Sequence, residues 1–501
     1  MGSLTRTSDG HLVIAARWWI RAAAWPVAAL VAESHLAWGD GKYSDQTLLC
    51  AGLLAAVAVI AAAYARAGEV PVIQLILIRF YFAMGYQVFS PPRLYGSNAL
   101  PIRISSRSLD KAAAGGIIFA AALLVGFAVA RLVARRFSAD FSRILDRRSA
   151  YGGADTITVR VLSGCSIAMY LALAFSPSGQ TMFGGFGYSA TLLSAPALSL
   201  GLLFWDAERQ SGATPRLIFW AAVTLIVCGA LAQGMVGSVA EPFTVIAIFM
   251  WTARGRVPIA LLATAIIGLM ALNTAKTVYR GLTWRKQRDV GLIERAENWA
   301  TALDRTYSGD RDEAIENTTS ATASRLSSFM QVAHMMEWVP ARVPHAGPKA
   351  WVQLPLEFVP RLVWSDKPQH AAEFNNRYTL TFGLQTRLMS QSTTYSLPSI
   401  GDGYWRLGWL GVVIEGLLLG LLTGAYQGLA GPGSRALTIV AAGFATRASP
   451  ESHILGLLAG VPQNWIMMIG VLLLAQALPS LIIGSVKTRL TGAGTRPLRT
   501  R

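Results

Sequence analysis

One short stretch of this sequence has the residue types that binding an anion requires. The sequence PRLVWSDKPQH, residues 360–370, brings Arg361, Lys367 and His370 into one proline-bounded turn. The prolines restrict the backbone on either side, and an arginine fork with a lysine point charge suits a phosphate group. The turn therefore predicts an anion site, in which Trp364 is a stacking surface or an anchor at the membrane interface.

Other basic residues extend this candidate site. Lys276 and Arg280 in LNTAKTVYRGLTWRK stand at i and i+4, on one face of a helix. Arg79 lies inside an apolar segment, where a charge marks a functional site or is held by a partner such as a helix-end carbonyl. Arg93 and Arg325 complete the candidate anion ligands, with snorkelling and surface ion pairs as the alternative for such residues.

Three residues are candidates for a general base. Asp402 lies in SIGDGYWRLGWLG, where the chain returns to apolar sequence, and His370 and Glu373 follow the Lys-Pro step. Spacing alone does not choose among them, and a surface position is the alternative for each. Asp402 is our first candidate because its flanking glycines fix it at the return into the membrane.

Several chemistries have no motif in this sequence. We find no phosphate-binding loop, no HExxH and no zinc spacing. Asp310, Arg311 and Asp312 have the spacing of a metal-binding DxD, but they lie in a charged stretch that is typical of solvated surface. We therefore expect no metal and no cofactor.

Composition predicts a membrane protein. The chain of 501 residues is 53% apolar and only 14% charged, whereas soluble domains carry about a quarter charged residues. Apolar windows long enough to cross a bilayer recur along it, and hydropathy indicates about twelve spans. The net charge of +17 follows from basic cytoplasmic loops rather than from nucleic-acid binding, because no basic face with stacking aromatics lies outside the spans.

The basic residues also predict the topology. The arginine-rich loop from Arg131, the short loop from Ala253 and the tail from Lys487 fall on one side, which is then cytoplasmic together with both termini. The long polar segment 276–404 falls outside, with 15 basic and 13 acidic residues. The predicted organisation is a bundle of nine spans in 1–275, an extracytoplasmic cap in 276–404, three spans in 405–486 and a basic cytoplasmic tail in 487–501.

Two amphipathic helices are predicted within the cap. The sequence LIERAENWATALDRTY places Leu292, Ala296, Trp299 and Leu303 on one face. The sequence TASRLSSFMQVAHMMEWV predicts a second helix, which ends before Pro340.

A run of motifs between Lys276 and Gly424 resembles a known family. The motifs RLSSF, VPARVPHAG, LPLEFVPRLVWSDKP, FNNRYTLTFG and SIGDGYWRLGWLGVVIEGLLLGLLTG are similar to those of the bacterial O-antigen and exopolysaccharide repeat-unit polymerases, the Wzy-like family. Asp402 stands where that family more often has Glu. The resemblance implies an all-α polytopic fold of the GT-C-like kind, with about twelve transmembrane helices and a large outer loop that carries the active site.

The resemblance also implies an activity and its partners. The chain would polymerise polyprenyl-pyrophosphate-linked oligosaccharides on the outer face of the bacterial inner membrane, among membrane lipids and beside a chain-length regulator and a flippase of the same pathway. A ligase that moves the glycan to another acceptor, and a flippase or transporter of the same lipid, are the alternatives. A transporter would be expected to have internal repeats around a midplane site, and no repeat is found.

The topology can be tested by cysteine labelling. A Ser308→Cys variant lacking Cys50, Cys165 and Cys228 should react with a membrane-impermeant thiol reagent in intact spheroplasts, because residue 308 is expected outside. A cysteine at Ser138 should react only after permeabilisation. Labelling of residue 308 only in permeabilised cells would invert the topology.

Overall fold

The structure is a computed structural model of the whole chain. It describes residues 43–63, 68–89, 104–146, 153–175, 196–210, 212–234, 236–255, 258–283, 291–308, 328–352, 377–384, 397–430 and 435–448, together with a few isolated positions. The ordered elements of these ranges are helices.

The helices are α1 (Asp45–Ala63), α2 (Val72–Met84), α3 (Ser106–Asp146), α4 (Gly153–Phe175), α5 (Pro196–Arg209), α6 (Ala213–Ala232), α7 (Val236–Arg254), α8 (Ile259–Thr283), α9 (Leu292–Tyr307), α10 (Phe329–Trp338), α11 (Lys349–Val352), α12 (Ser399–Leu407), α13 (Trp409–Leu429) and α14 (Arg435–Arg447). A 3-10 turn, Tyr86–Phe89, follows α2.

Helix length and composition agree with a helical membrane protein. Helices α1, α3, α6 and α13 contain segments long and apolar enough to cross a membrane. Shorter apolar segments lie in α2, α4, α8 and α14. The spans that the sequence predicts to begin near Thr47, Pro71, Ala112, Thr156, Arg216, Glu241, Val257 and Ala436 each correspond to a helix, whereas those predicted to begin near Trp18 and Gln463 start outside the described residues. The total of twelve spans stays a prediction.

Glycines let α13 lie directly on the backbone of α3. Gly416, Gly420, Gly424 and Gly428 recur every four residues, which puts them on one face of α13. A Cβ at Gly416 would lie 2.7 Å from the carbonyl oxygen of Phe119, and one at Gly420 would overlap the carbonyl of Leu123. Small residues at this spacing allow the close backbone approach by which helices associate in lipid. The two helices therefore run parallel and in contact.

Helix α3 continues through a segment that we expected to be a loop. The arginine-rich stretch from Arg131 was predicted to be a cytoplasmic connection, but it is helical as far as Asp146. Glycine and proline are absent from residues 127–151, and leucine, alanine and arginine favour a helix. At about 1.5 Å per residue the helix is roughly twice as long as a bilayer core is thick.

Polar contacts define two ends of the bundle. At one end, Thr47 Oγ1 at the start of α1 donates to Asp110 Oδ1 at the start of α3, over 2.7 Å. At the other end, Glu69 binds Arg131 and Arg135 at 2.5 and 2.7 Å. We name these the acidic-start end and the basic end. The basic end contains the arginines that the topology prediction assigns to the cytoplasm.

The described parts of segment 276–404 pack on the bundle. Helix α8 runs through the predicted boundary at residue 276 without a break and ends at Thr283. Helix α10 ends at Trp338, as predicted, and the amide of Ser328 before it donates to the carbonyl of Ala83. The residue before α10 thus contacts the C-terminal end of α2, which lies at the acidic-start end of the bundle.

The buried face of α9 differs from the predicted one. Trp299 and Ala302 are buried and Leu303 packs beside them, but Ala296 is exposed. Arg295 lies on the buried side instead, because its guanidinium donates to the carbonyl of Ala232 at the end of α6. The prediction was wrong at Ala296 because it considered only apolar residues.

The α3–α13 contact makes a stability prediction. Gly420→Ala should lower the free energy of unfolding by about 1–3 kcal/mol, because the added methyl group overlaps backbone that cannot move aside cheaply. Gly268→Ala is the matched control, since nothing lies within 4 Å of a Cβ there. Thermal unfolding of the detergent-solubilised variants measures both. Equal midpoints for Gly420→Ala and the wild-type protein would contradict the packing described here.

Candidate active site at the return into the bundle

A sharp reversal joins the short helix α12 to the spanning helix α13. Gly408, between them, has φ +61°, a left-handed conformation that glycine adopts readily. The backbones of Gly403 and Gly411 then touch, because a Cβ at Gly403 would lie 2.6 Å from the carbonyl oxygen of Gly411. Helix α12 is therefore folded back along the start of α13. The predicted boundary at 404/405 lies within α12.

Three charged residues meet in this reversal. Asp402 and Arg406 stand one turn apart on α12, and Glu415 lies on α13. Arg406 Nη2 is 2.9 Å from Asp402 Oδ1, and the carboxyls of Asp402 and Glu415 are in hydrogen-bonding contact. Their exposed fractions are 0% for both carboxylic residues and 1% for Arg406. We call these three residues the acid–arginine cluster.

A loop and a short helix cover the cluster. The amides of Ala346 and Gly347 donate to the carbonyls of Trp405 and Arg406, over 2.9 and 3.2 Å. The ring of Trp351 in α11 then lies 5.8 Å from the Arg406 guanidinium. Its N–H approaches the carboxyl of Glu415 without completing an aligned hydrogen bond. Segment 345–352 thus separates the cluster from solvent.

Two members of the cluster were missed by sequence reasoning. Glu415 is the one acid in the apolar run WLGVVIEGLLLGLLTG, and an acid within a span is a functional candidate by default. Arg406 stands four residues after Asp402, the spacing at which opposite charges meet on a helix. Both signals are present in the sequence.

Arg79 holds the end of another helix. Its Nη1 donates to the carbonyls of Ala445, Thr446 and Ala448, over 2.9, 3.2 and 3.0 Å. These carbonyls lie at the C-terminal end of α14, where a helix leaves acceptors unsatisfied and attracts positive charge. The structure therefore shows the helix-end carbonyl partner, which was one of the two alternatives for this residue.

Arg280 occupies a similar position at the end of α6. Its Nε donates to the carbonyl of Gly234 over 3.1 Å. Tyr279 and Arg295 donate to the carbonyl of Ala232, and the Trp299 indole donates to Leu231. Side chains of α8 and α9 thus satisfy the last carbonyls of α6. The structure brings neither Arg79 nor Arg280 into the acid–arginine cluster.

The remaining predicted site residues have little or no described structure. Trp364 is described as an isolated, half-buried position. Six residues lie outside the described part of the chain: Arg93, Arg325, Arg361, Lys367, His370 and Glu373. Of the predicted bases, Asp402 is therefore the one that the described residues place in a charged site.

Helix α10 supports α12 from the side and includes two titratable groups. His334 is buried, its Nε2 lies 2.9 Å from the carbonyl oxygen of Phe382, and burial lowers its pKa. This histidine is therefore neutral at neutral pH. Hydrogen bonds from Ser105 and Ser108 lower the pKa of Glu337. Glu337 thereby ties α10 to the start of α3.

Comparison with known proteins assigns the chain to a family. The chain belongs to the family described as Domain of unknown function (DUF8712), whose model matches residues 149–430. No curated protein and no solved structure matches the chain. The matched region includes the whole acid–arginine cluster and ends just after α13.

The role of Arg79 can be tested by its removal. Arg79→Ala should lower the free energy of unfolding by about 1.5–3 kcal/mol, because charge-assisted hydrogen bonds to the end of α14 are lost. Arg216→Ala, at an exposed position in the first turn of α6, should change stability little. Thermal unfolding in detergent distinguishes the two. An Arg79→Ala protein of unchanged stability that no longer acts on substrate would make Arg79 a ligand instead.

Proposed function

We propose that this protein is a glycosyltransferase that polymerises polyprenyl-pyrophosphate-linked oligosaccharide repeat units on the outer face of the bacterial inner membrane. The observation that carries this proposal is the buried acid–arginine cluster. It lies in the sequence motif that resembles the return segment of the Wzy-like polymerases. It also contains the acid that the sequence favoured as the base.

The chemistry requires a base and a cationic surrounding. The donor already has a stable pyrophosphate leaving group, so no general acid is needed. Asp402 accepts the proton of the acceptor hydroxyl, and positive charge near the departing pyrophosphate stabilises the transition state. Arg406 supplies one such charge beside Asp402, and the turn with Arg361 and Lys367 is the proposed source of the others. His370 and Glu373 are the other candidate bases.

Substrate access to Asp402 would require segment 345–352 to move. The cluster is enclosed in this structure, and the segment is held to α12 by two backbone hydrogen bonds and the packing of Trp351. Gly347 within the segment has φ +72°, so its backbone already uses a conformation open chiefly to glycine. An enclosed site has the advantage that water is kept from competing with the acceptor hydroxyl.

The structure adds one observation in favour of the transport alternative. A fully buried acid pair with one arginine, inside an apolar bundle, is also the kind of site found along proton pathways. A flippase would move intact lipid-linked repeat units across the membrane, whereas a polymerase or a ligase would transfer them. Extension of the chain identifies a polymerase. Transfer of the glycan to a supplied acceptor without extension identifies a ligase, and a flippase gives neither product.

Substitution of Asp402 tests the proposed function. Asp402→Asn keeps the shape but removes the base, so polymerisation should fall by about a hundredfold or more. The assay supplies membranes containing the variant with lipid-linked repeat units and measures the distribution of chain lengths. Thermal unfolding shows whether the variant protein is folded.

Asp304→Asn, at an exposed position in α9, is the matched control and should polymerise normally. Chains of wild-type length from a folded Asp402→Asn protein would overturn the assignment of Asp402 as the base. Complete absence of chain extension by the wild-type protein would overturn the proposed function itself.

A further inference from the structure

A carboxyl pair forms the centre of the acid–arginine cluster. Asp402 and Glu415 come from different helices, are fully buried and are in hydrogen-bonding contact with each other. Among the described residues, neither carboxyl accepts an aligned hydrogen bond from a protein donor. An ionised carboxylate has acceptors only, so the contact becomes a hydrogen bond when one of the two carboxyls carries a proton.

The charges around the pair lead to the same conclusion. Arg406 lies 2.9 Å from Asp402 and is the cation that α12 contributes. Among the described residues, the neutral groups nearest this region are Trp351 of α11, Met335 of α10, and Phe119, Ala122 and Leu123 of α3. The titratable side chain of His345 lies at the end of α12, with its Nδ1 3.2 Å from the carbonyl oxygen of Trp405. Two ionised carboxylates beside one guanidinium would leave a buried charge uncompensated, which is strongly unfavourable. One proton on the pair restores neutrality.

Close helix contacts lie next to both carboxyl residues. Gly416, the residue after Glu415, lies against the backbone of α3, and Gly403, the residue after Asp402, lies against Gly411. These contacts fix the backbone next to each carboxyl, so a shift of either helix would disturb close backbone packing.

We propose that Asp402 and Glu415 share a single proton, and that Glu415 is the positioning residue that holds Asp402 as the base. The reaction to which this applies rests on the proposed function, whereas the shared proton does not. At rest, the pair has one negative charge and Arg406 balances it.

The shared proton determines how charge changes during transfer. Asp402 accepts the proton of the acceptor hydroxyl while the hydroxyl oxygen bonds to the anomeric carbon of the donor. The bond from that carbon to the pyrophosphate oxygen breaks, and its electron pair leaves with the pyrophosphate. The cluster then holds two protons and one net positive charge, which stabilises the departing anion. The extra proton afterwards passes to water.

Infrared spectroscopy of the purified protein tests the shared proton directly. The wild-type protein at neutral pH should show a protonated-carboxyl stretch that is missing from Glu415→Gln and also from Asp402→Asn, because either variant leaves one carboxylate paired with Arg406. Glu241→Gln removes a half-buried carboxyl on α7 and should leave this stretch in place. An unchanged protonated-carboxyl region in Glu415→Gln would overturn the proposal.

The pH profile of polymerisation tests the positioning role. In the wild-type protein activity should fall at low pH, as the pair takes up a second proton and the base is lost. It should fall again at high pH, as the pair loses its single proton and the two charges repel. Glu415→Gln keeps a neutral hydrogen-bonding partner, so it should remain active at neutral pH and lose the alkaline fall. Glu415→Leu should lower activity by about tenfold or more, because it leaves the buried Asp402 carboxyl without its carboxyl partner. A tenfold loss corresponds to roughly 1.4 kcal/mol in the activation free energy.

These measurements separate two failures. If the shared-proton stretch is present and no variant or wild-type protein polymerises repeat units, the pair stands and the proposed function falls. If polymerisation depends on Asp402 but Glu415→Gln keeps the wild-type alkaline fall, the proposed function stands and the role of Glu415 falls.

Discussion

Backbone contact between α3 and α13 is the constraint on which the candidate site depends. The glycines of α13 recur every fourth residue and bring it onto α3 along more than three turns. Glu415 precedes the first of these glycines, so its depth in the bundle and its direction are set by the contact. The reversal at Gly408 and the contact of Gly411 with Gly403 then place α12 beside the start of α13. The charged cluster is thus buried where small residues bring the surrounding backbone close together.

The basic residues of the molecule serve two different purposes. Arg79, Arg280 and Arg295 donate to carbonyls at the ends of α14 and α6. In a lipid environment such carbonyls have no water to bind, so a guanidinium within reach satisfies several of them at once. Arg406 instead faces a carboxylate within the cluster. Arginine content alone therefore cannot identify an anion site in a membrane bundle.

Sequence patterns predicted the helices well because hydropathy is a local property. The amphipathic segment that starts at Leu292 is a helix with the predicted bounds, and the helix with Met335 ends before Pro340. The arginine-rich segment after Arg131 is a helix and not the predicted loop, because leucine, alanine and arginine favour a helix and no glycine or proline interrupts it.

The candidate site could be predicted only in part. Asp402 was chosen from its flanking glycines, and these glycines do form the close contact that buries it. Its partner Glu415 comes from the next helix, thirteen residues later, and only the reversal at Gly408 brings the two together. Whether a lone acid in a span meets another charge is a tertiary property. The sequence left two alternatives for Arg79 for the same reason, because its partners lie on α14, far away in the sequence.

We propose that lipid-linked donor binds beside the acid–arginine cluster. The most direct measurement is an electron cryo-microscopy structure of the protein with a non-transferable phosphonate analogue of a lipid-linked repeat unit. The anomeric carbon should lie next to the reversal between α12 and α13, within a few ångströms of the Asp402 carboxyl, with segment 345–352 displaced and the phosphonate near Arg406. Density for the phosphonate at the ends of α6 or α14, with the cluster still enclosed, would contradict this assignment of the active site.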